Sequence, residues 1–147
     1  MAFAQTFMDL TPADPELPAA LELLRQLRTH RTIDELAELY RMGYESGYRF
    51  TVLVEDGVVR AFAGHRVLIN AAYGRYLYVD DLVTREGARS RGYGAAMLAH
   101  LHELKATLGC EDLQLDSGNH RRRAHSFYRA QGLVATGLHF GMPPSGG

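Results

Sequence analysis

The sequence predicts a mixed α+β fold, and three observations predict it. Helical periodicity opens the chain, strand alternation fills its centre, and a glycine-rich turn then starts a helix that leads on to a further strand. A strand–helix–strand connection lays its two strands parallel, whereas successive hairpins lay theirs antiparallel. Both occur here, so one sheet must carry both kinds of pairing.

In chain order, residues 4–10 are short and apolar and fit an edge strand. Thr11, Pro12 and Pro15 break it. Leu17, Leu21, Leu24 and Leu27 recur at three- and four-residue steps, which predicts a first helix. Thr32 with Glu35 forms a capping-box pattern for a second, with Ile33, Leu36, Leu39 and Tyr40 as its buried stripe and Gly43 or Gly47 as its stop. Residues 50–54 are rich in strand formers, Glu55-Asp56-Gly57 is a tight hairpin signal, and 58–69 returns as a strand in which Gly64 marks a bulge or a close approach. Residues 70–74 turn, and 75–84 form a third successive strand. After the glycine loop, Met97, Leu98, Leu101, Leu104 and Leu108 share one helical face, which Gly109 ends. Residues 112–116 read as a strand parallel to the one before the loop, 121–131 as a last helix, 134–141 as a final strand and 143–147 as a loose tail. No repeat or linker interrupts this order, so the expectation is one domain over 1–147.

Bulk properties narrow the function. A net charge of −1 argues against a generic nucleic-acid or membrane-surface binder, which is usually basic overall. The lone Cys110 has no disulfide partner, and the seven histidines show no zinc spacing, so no metal is expected. With no leader and no apolar run long enough to span a bilayer, the expectation is a cytoplasmic protein.

The densest chemistry lies in the loop. Gly92 and Gly94 let the backbone turn and approach a ligand, the helix start at 93–95 offers unpaired N–H groups, and Arg89 and Arg91 add charge. That combination suits a phosphate or pyrophosphate. A nucleotide P-loop is excluded, because Tyr93-Gly94 stands where lysine and a magnesium-binding hydroxyl are required. A dinucleotide fingerprint fits poorly, because Met97 replaces its third glycine and the strands leading in form an antiparallel meander. Taken alone, the pattern also fits a glycine-bearing helix start with solvated arginines.

The loop Arg89-Ser90-Arg91-Gly92-Tyr93-Gly94 resembles the Q/R-x-x-G-x-G/A acyl-CoA motif of the GCN5-related N-acetyltransferases, which lies between their fourth strand and the helix after it. Downstream, the run from Ala124 to Leu133 resembles the family's A-x-x-x-Y-x-x-x-G-F segment, and the order of elements is similar over residues 49–140. The resemblance implies that family's fold, with about six or seven mostly antiparallel strands, about four flanking helices and a splayed parallel pair at the acyl-CoA site. It also implies acetyl-CoA as cosubstrate and a primary amine as acceptor, joined by direct attack in a ternary complex.

Roles follow residue by residue. The pyrophosphate would lie on backbone N–H groups of Arg89, Ser90, Arg91, Gly92, Tyr93, Gly94 and Ala95. The pantetheine arm would pair with Leu82, Val83 and Thr84, near Phe127. Tyr128 matches the family's tyrosine near the sulfur, suited to protonating the leaving thiolate; its alternative is a half-buried aromatic. Where many members carry an asparagine this chain has Arg121, and Asn119 is the candidate substitute. Asp80 is the favoured base or amine anchor, with Asp81 expected on the opposite face by alternation. The alternative is one buried, bonded carboxylate and one solvated. Tyr78 and Asp80 would share a face of the acceptor pocket, walled by Tyr40, Tyr44, Tyr73 and Tyr76. Aromatic walls with Asp80 suggest a small cationic amine; peptide termini and lysines are the other acceptors, and a homodimer is compatible with the sequence. A CoA-binding regulatory domain without turnover and a nucleic-acid module are the rivals from other classes.

Overall fold

Local chemistry sets the ends of most elements. The computed structural model describes residues 4–85 and 91–143. Strand β1 is Gln5–Leu10, helices α1 and α2 are Leu17–Arg25 and Ile33–Tyr44, and strands β2, β3 and β4 are Arg49–Glu55, Val58–Asn70 and Gly74–Thr84. Helix α3 is Tyr93–Thr107, strand β5 Asp112–Leu115 and helix α4 Arg122–Ala130. The Thr32 hydroxyl accepts the Glu35 N–H while the Glu35 carboxylate accepts the Thr32 N–H, the full capping box. The β2–β3 hairpin turns on Asp56 and Gly57, both with positive φ (54° and 70°), the geometry that matches strand twist in a two-residue loop.

The chain divides into two compact units, Met1–Leu115 and Asp116–Gly147. The first holds one sheet in the order β1-β2-β3-β4-β5. Its pairs are antiparallel except β4–β5, which is parallel and connected through α3. One sheet face packs on α1 and α2 through a cluster that includes Leu10, Leu21, Leu24, Phe50, Val52 and Phe62. The opposite face meets α3, whose Met97, Leu98 and Leu101 are buried and whose His100 ring stacks on Phe7 at 4.0 Å. Each fully buried leucine contributes about 2 kcal/mol of apolar burial, so these two faces hold most of the unit's stability. No helix among the described residues is long and apolar enough to cross a membrane.

Two expectations need correction. The described residues carry five strands rather than six or seven, because residues 134–141 form none. A strand needs an edge to pair with, and the described residues of the second unit form one helix and no strand. Val134, Leu138 and Phe140 alternate as a strand would, yet stand exposed. Leu39, placed in the buried stripe of α2, is 41% exposed, while Leu36 and Tyr40 carry that contact.

Candidate active site

The site is built where β4 outruns its neighbour. The parallel ladder runs from Tyr76↔Asp112 to Val79↔Leu115 and ends there. Strand β4 continues to Thr84, paired on its other side with β3 through Leu82↔Ala63, Val83↔Phe62 and Thr84↔Ala61. Among the described residues, then, no strand covers the β5-side edge of Asp80–Thr84. Backbone groups on such an edge must find water or a ligand.

The helix after the loop supplies the second element. Gly92 is the N-cap of α3 with φ 79° and ψ 11°, a left-handed conformation that favours glycine. A Cβ there would meet nothing within 4 Å, so the requirement is conformational and not steric. Ala96 is the residue whose N–H reaches back to Gly92 O (3.0 Å), and no side chain caps the helix start. The N–H groups of Tyr93, Gly94 and Ala95 therefore have no helical acceptor and sit at the positive end of the dipole. Arg91 is exposed beside them, whereas the Tyr93 ring is buried and its hydroxyl donates to Glu55 Oε1 at 3.2 Å. The contribution expected of Tyr93 is thus its backbone. Arg89 and Ser90, assigned to the same cradle, lie outside the described residues.

A β-bulge rearranges the acidic pair. Register passes from Gly64↔Asp81 to His65↔Val79, so Asp80 is the extra residue on β4. Alternation would have put Asp80 and Asp81 on opposite faces; the bulge puts both on the α1/α2 face. Arg66, two residues beyond Gly64 on β3, grips the Asp80 carboxylate with Nε at 2.9 Å and Nη2 at 2.7 Å. Arg28, just after α1, bonds Asp81 Oδ1 through Nε at 2.7 Å and the Asp80 carbonyl through Nη2 at 3.3 Å. Asp81 is the more buried acid, at 6% exposure. Arg66 also lies over the Tyr78 ring (5.5 Å to its centroid), so it joins Tyr78 to Asp80 on one surface.

Sequence reasoning missed Arg28, Arg66 and Tyr48. Tyr48 lies beside Gly64, where a Cβ would meet its ring at 3.5 Å, and so faces the register partner of Asp81. Burial, then the charges of Asp81 and Asp80, push its hydroxyl well above the usual tyrosine range. Its place just before β2, in phase with Phe50, was the available signal.

Tyr40 and Tyr76, expected on the acceptor-pocket wall, are buried. Tyr40 is fully buried and stacks on Phe50 at 3.7 Å; its hydroxyl donates to Leu10 O and accepts from the Phe50 N–H. Burial raises it to about 12. Tyr76 is buried and accepts from Asn70 Nδ2 at 3.2 Å. Both are core residues because their helix or strand faces inward there. Tyr44 lies under the Arg49 guanidinium at 3.8 Å, and Tyr73 packs edge-on to Tyr76.

In the second unit, Phe127 and Tyr128 sit half-buried on α4 with their rings 5.4 Å apart. Asn119 is exposed before the helix, and the Arg121 cap position makes no side-chain cap bond. Helix α4 has no acid in its first turn, so Arg122 and Arg123 oppose its dipole. Among the described residues no cluster of three or more His, Cys, Asp or Glu side chains could hold a metal, and Cys110 is buried.

Comparison with known proteins agrees with this geometry. The model of the acetyltransferase (GNAT) family matches residues 17–133. An uncharacterized N-acetyltransferase of Bacillus subtilis, YhdJ, is 31% identical over 107 residues, covering 72% of this chain and 75% of that protein. Among solved structures, aminoglycoside N-acetyltransferase AAC(6')-Iy in complex with CoA superposes with a TM-score of 0.80 at 14% identity, over 99% of this chain and 97% of that one. An acetyltransferase of Trypanosoma brucei superposes at 0.76 with 23% identity, over 96% and 100%. The family match spans both the uncapped helix start and the strand that outruns its parallel neighbour; the chain belongs to the acetyltransferase (GNAT) family and is an acyltransferase.

Proposed function

We propose that the protein transfers an acetyl group from acetyl-CoA to a primary amine of a small molecule. The observation that carries this reading is the end of the β4–β5 ladder at Val79, beyond which no described strand pairs with that edge of Asp80–Thr84 on the strand leading to the α3 start. The amide-rich pantetheine arm pairs with Leu82, Val83 and Thr84, and the pyrophosphate takes the N–H groups from Arg89 to Ala95. AAC(6')-Iy, a structural relative, carries CoA in its complex and takes an amine-bearing acceptor by its name. At 14% identity that likeness carries the fold and not the acceptor.

In the ternary complex the neutral amine nitrogen attacks the thioester carbonyl carbon. The N–C bond forms, the C–S bond breaks, the thiolate takes the Tyr128 hydroxyl proton, and the proton lost by the amine nitrogen returns through water to the Tyr128 oxygen. A strand N–H of the open edge polarises the carbonyl. Asp80 anchors the incoming amine rather than acting as a free base, because Arg66 already occupies both of its oxygens. Asn119 and Phe127 would contact the pantetheine.

Release of CoA thiol from acetyl-CoA across a panel of primary amines tests the reading. Turnover of small amines is expected, and Tyr128→Phe should lower kcat about 100-fold with little change in KM for acetyl-CoA. Acetyl-CoA binding without thiol release from any amine would mean a regulatory CoA-binding domain instead.

A further inference from the structure

The acidic pair that suggested a cationic acceptor is fully compensated. Each carboxylate of the β4 bulge has its own guanidinium, Asp80 with Arg66 and Asp81 with Arg28, so the surface is neutral overall. A polyamine or aminoglycoside would bring further positive charge to two arginines already within hydrogen-bond reach of Asp80. Each guanidinium still has something to offer. Both bond through Nε and Nη2, and neither Nη1 makes a hydrogen bond among the described residues. Arg66 is 38% exposed and Arg28 45%, so these donors reach solvent. The carboxylate of Asp80 is 18% exposed and keeps lone pairs on both oxygens for one more donor.

From this arrangement we propose that the acceptor is zwitterionic: a free amino acid or close analogue whose carboxylate sits on Arg66 and Arg28 and whose amine is steered by Asp80. This rests on the acetyl-transfer reading above and specifies its substrate. An arginine fork recognises a carboxylate in a planar, directional way that an ammonium cannot imitate, and the acid beside it orients the amine. Tyr78 under Arg66 and Tyr48 beside Gly64 give the site an aromatic floor. The reaction balances with no further reactant. Acetyl-CoA and the amino acid give the N-acetyl amino acid, free CoA thiol and one proton, and the carboxylate is unchanged.

The test compares matched acceptors on the unaltered protein: each common α-amino acid, its carboxamide and its decarboxylated amine, with spermidine and kanamycin alongside, all by CoA-thiol release. At least one amino acid should exceed its own carboxamide and amine in kcat/KM by about tenfold or more, mainly through KM. In Arg66→Lys and Arg28→Lys, checked for native melting, that preference should shrink while KM for acetyl-CoA stays unchanged. Better turnover of decarboxylated amines, spermidine or kanamycin than of any amino acid would overturn the zwitterion and leave acetyl transfer standing. A preference indifferent to both arginines would also overturn it. No thiol release from any acceptor would overturn both readings.

Discussion

The two halves of β4 differ in a way that separates scaffold from site. Tyr76–Val79 is paired on both edges and lies largely buried, with Leu77 and Val79 almost fully so. Asp81–Thr84 is paired with β3 alone among the described strands, and from Asp80 on the strand is only partly covered, Asp81 excepted. One inserted residue, Asp80, marks the boundary. A sheet can therefore stay rigid up to a given residue and offer open backbone from the next, provided a bulge absorbs the change in twist.

Breaking the scaffold half should have the largest effect. Leu77→Ala removes a fully buried side chain and should cost about 2–5 kcal/mol in denaturant unfolding. The remaining folded protein should keep its KM for acetyl-CoA. A large KM change at unchanged stability would put the boundary between the halves elsewhere.

The scaffold half should also respond to acid through His65, the register partner of Val79. Its Nε2 lies 2.9 Å from the Thr51 hydroxyl, which donates to Asp9 at 2.7 Å. Burial lowers His65 from 6.5 to about 4, with His100 and Arg49 adding to the drop against the opposing charge of Asp9. The unfolded chain thus binds more protons between those values. Stability from this group is complete above pH 6.5 and falls as pH drops toward 4, by roughly 2–3 kcal/mol. Urea midpoints across that window should show the slope, and His65→Gln should flatten it.

A smaller effect should come from the loop side. Gly92→Ala places a Cβ at φ 79° and should cost about 1–2 kcal/mol, without clash. Because the same residue aims the α3 N–H groups, KM for acetyl-CoA should rise about tenfold, measured by thiol release at saturating acceptor. A stability loss with unchanged KM would detach the helix start from cofactor binding.

What was legible in the sequence was local. The Thr32–Glu35 box, the Asp56-Gly57 turn and Gly92 depend on neighbours in the chain, and each formed as read. Gly64 did mark a register slip, but the extra residue lay across the ladder on β4, where pairing and not composition decides it. Alternation therefore misassigned the face of Asp81. Arg28 contributes from 53 residues away, a contact no period or spacing reveals. Tyr40 looked available for a ligand because helical periodicity gives the face a residue occupies and not what lies against it. The alternating run at 134–141 reads as a strand, yet a strand forms only where an edge receives it.

The central claim is that the open half of β4 and the start of α3 hold the cofactor together. Amide hydrogen exchange with and without acetyl-CoA tests it most directly. Protection should rise at Leu82, Val83 and Thr84 and at Tyr93, Gly94 and Ala95, with little change over Tyr76–Val79, already paired on both sides. Unchanged exchange at Leu82–Thr84 with cofactor bound would contradict it, as would a uniform rise along the whole of β4.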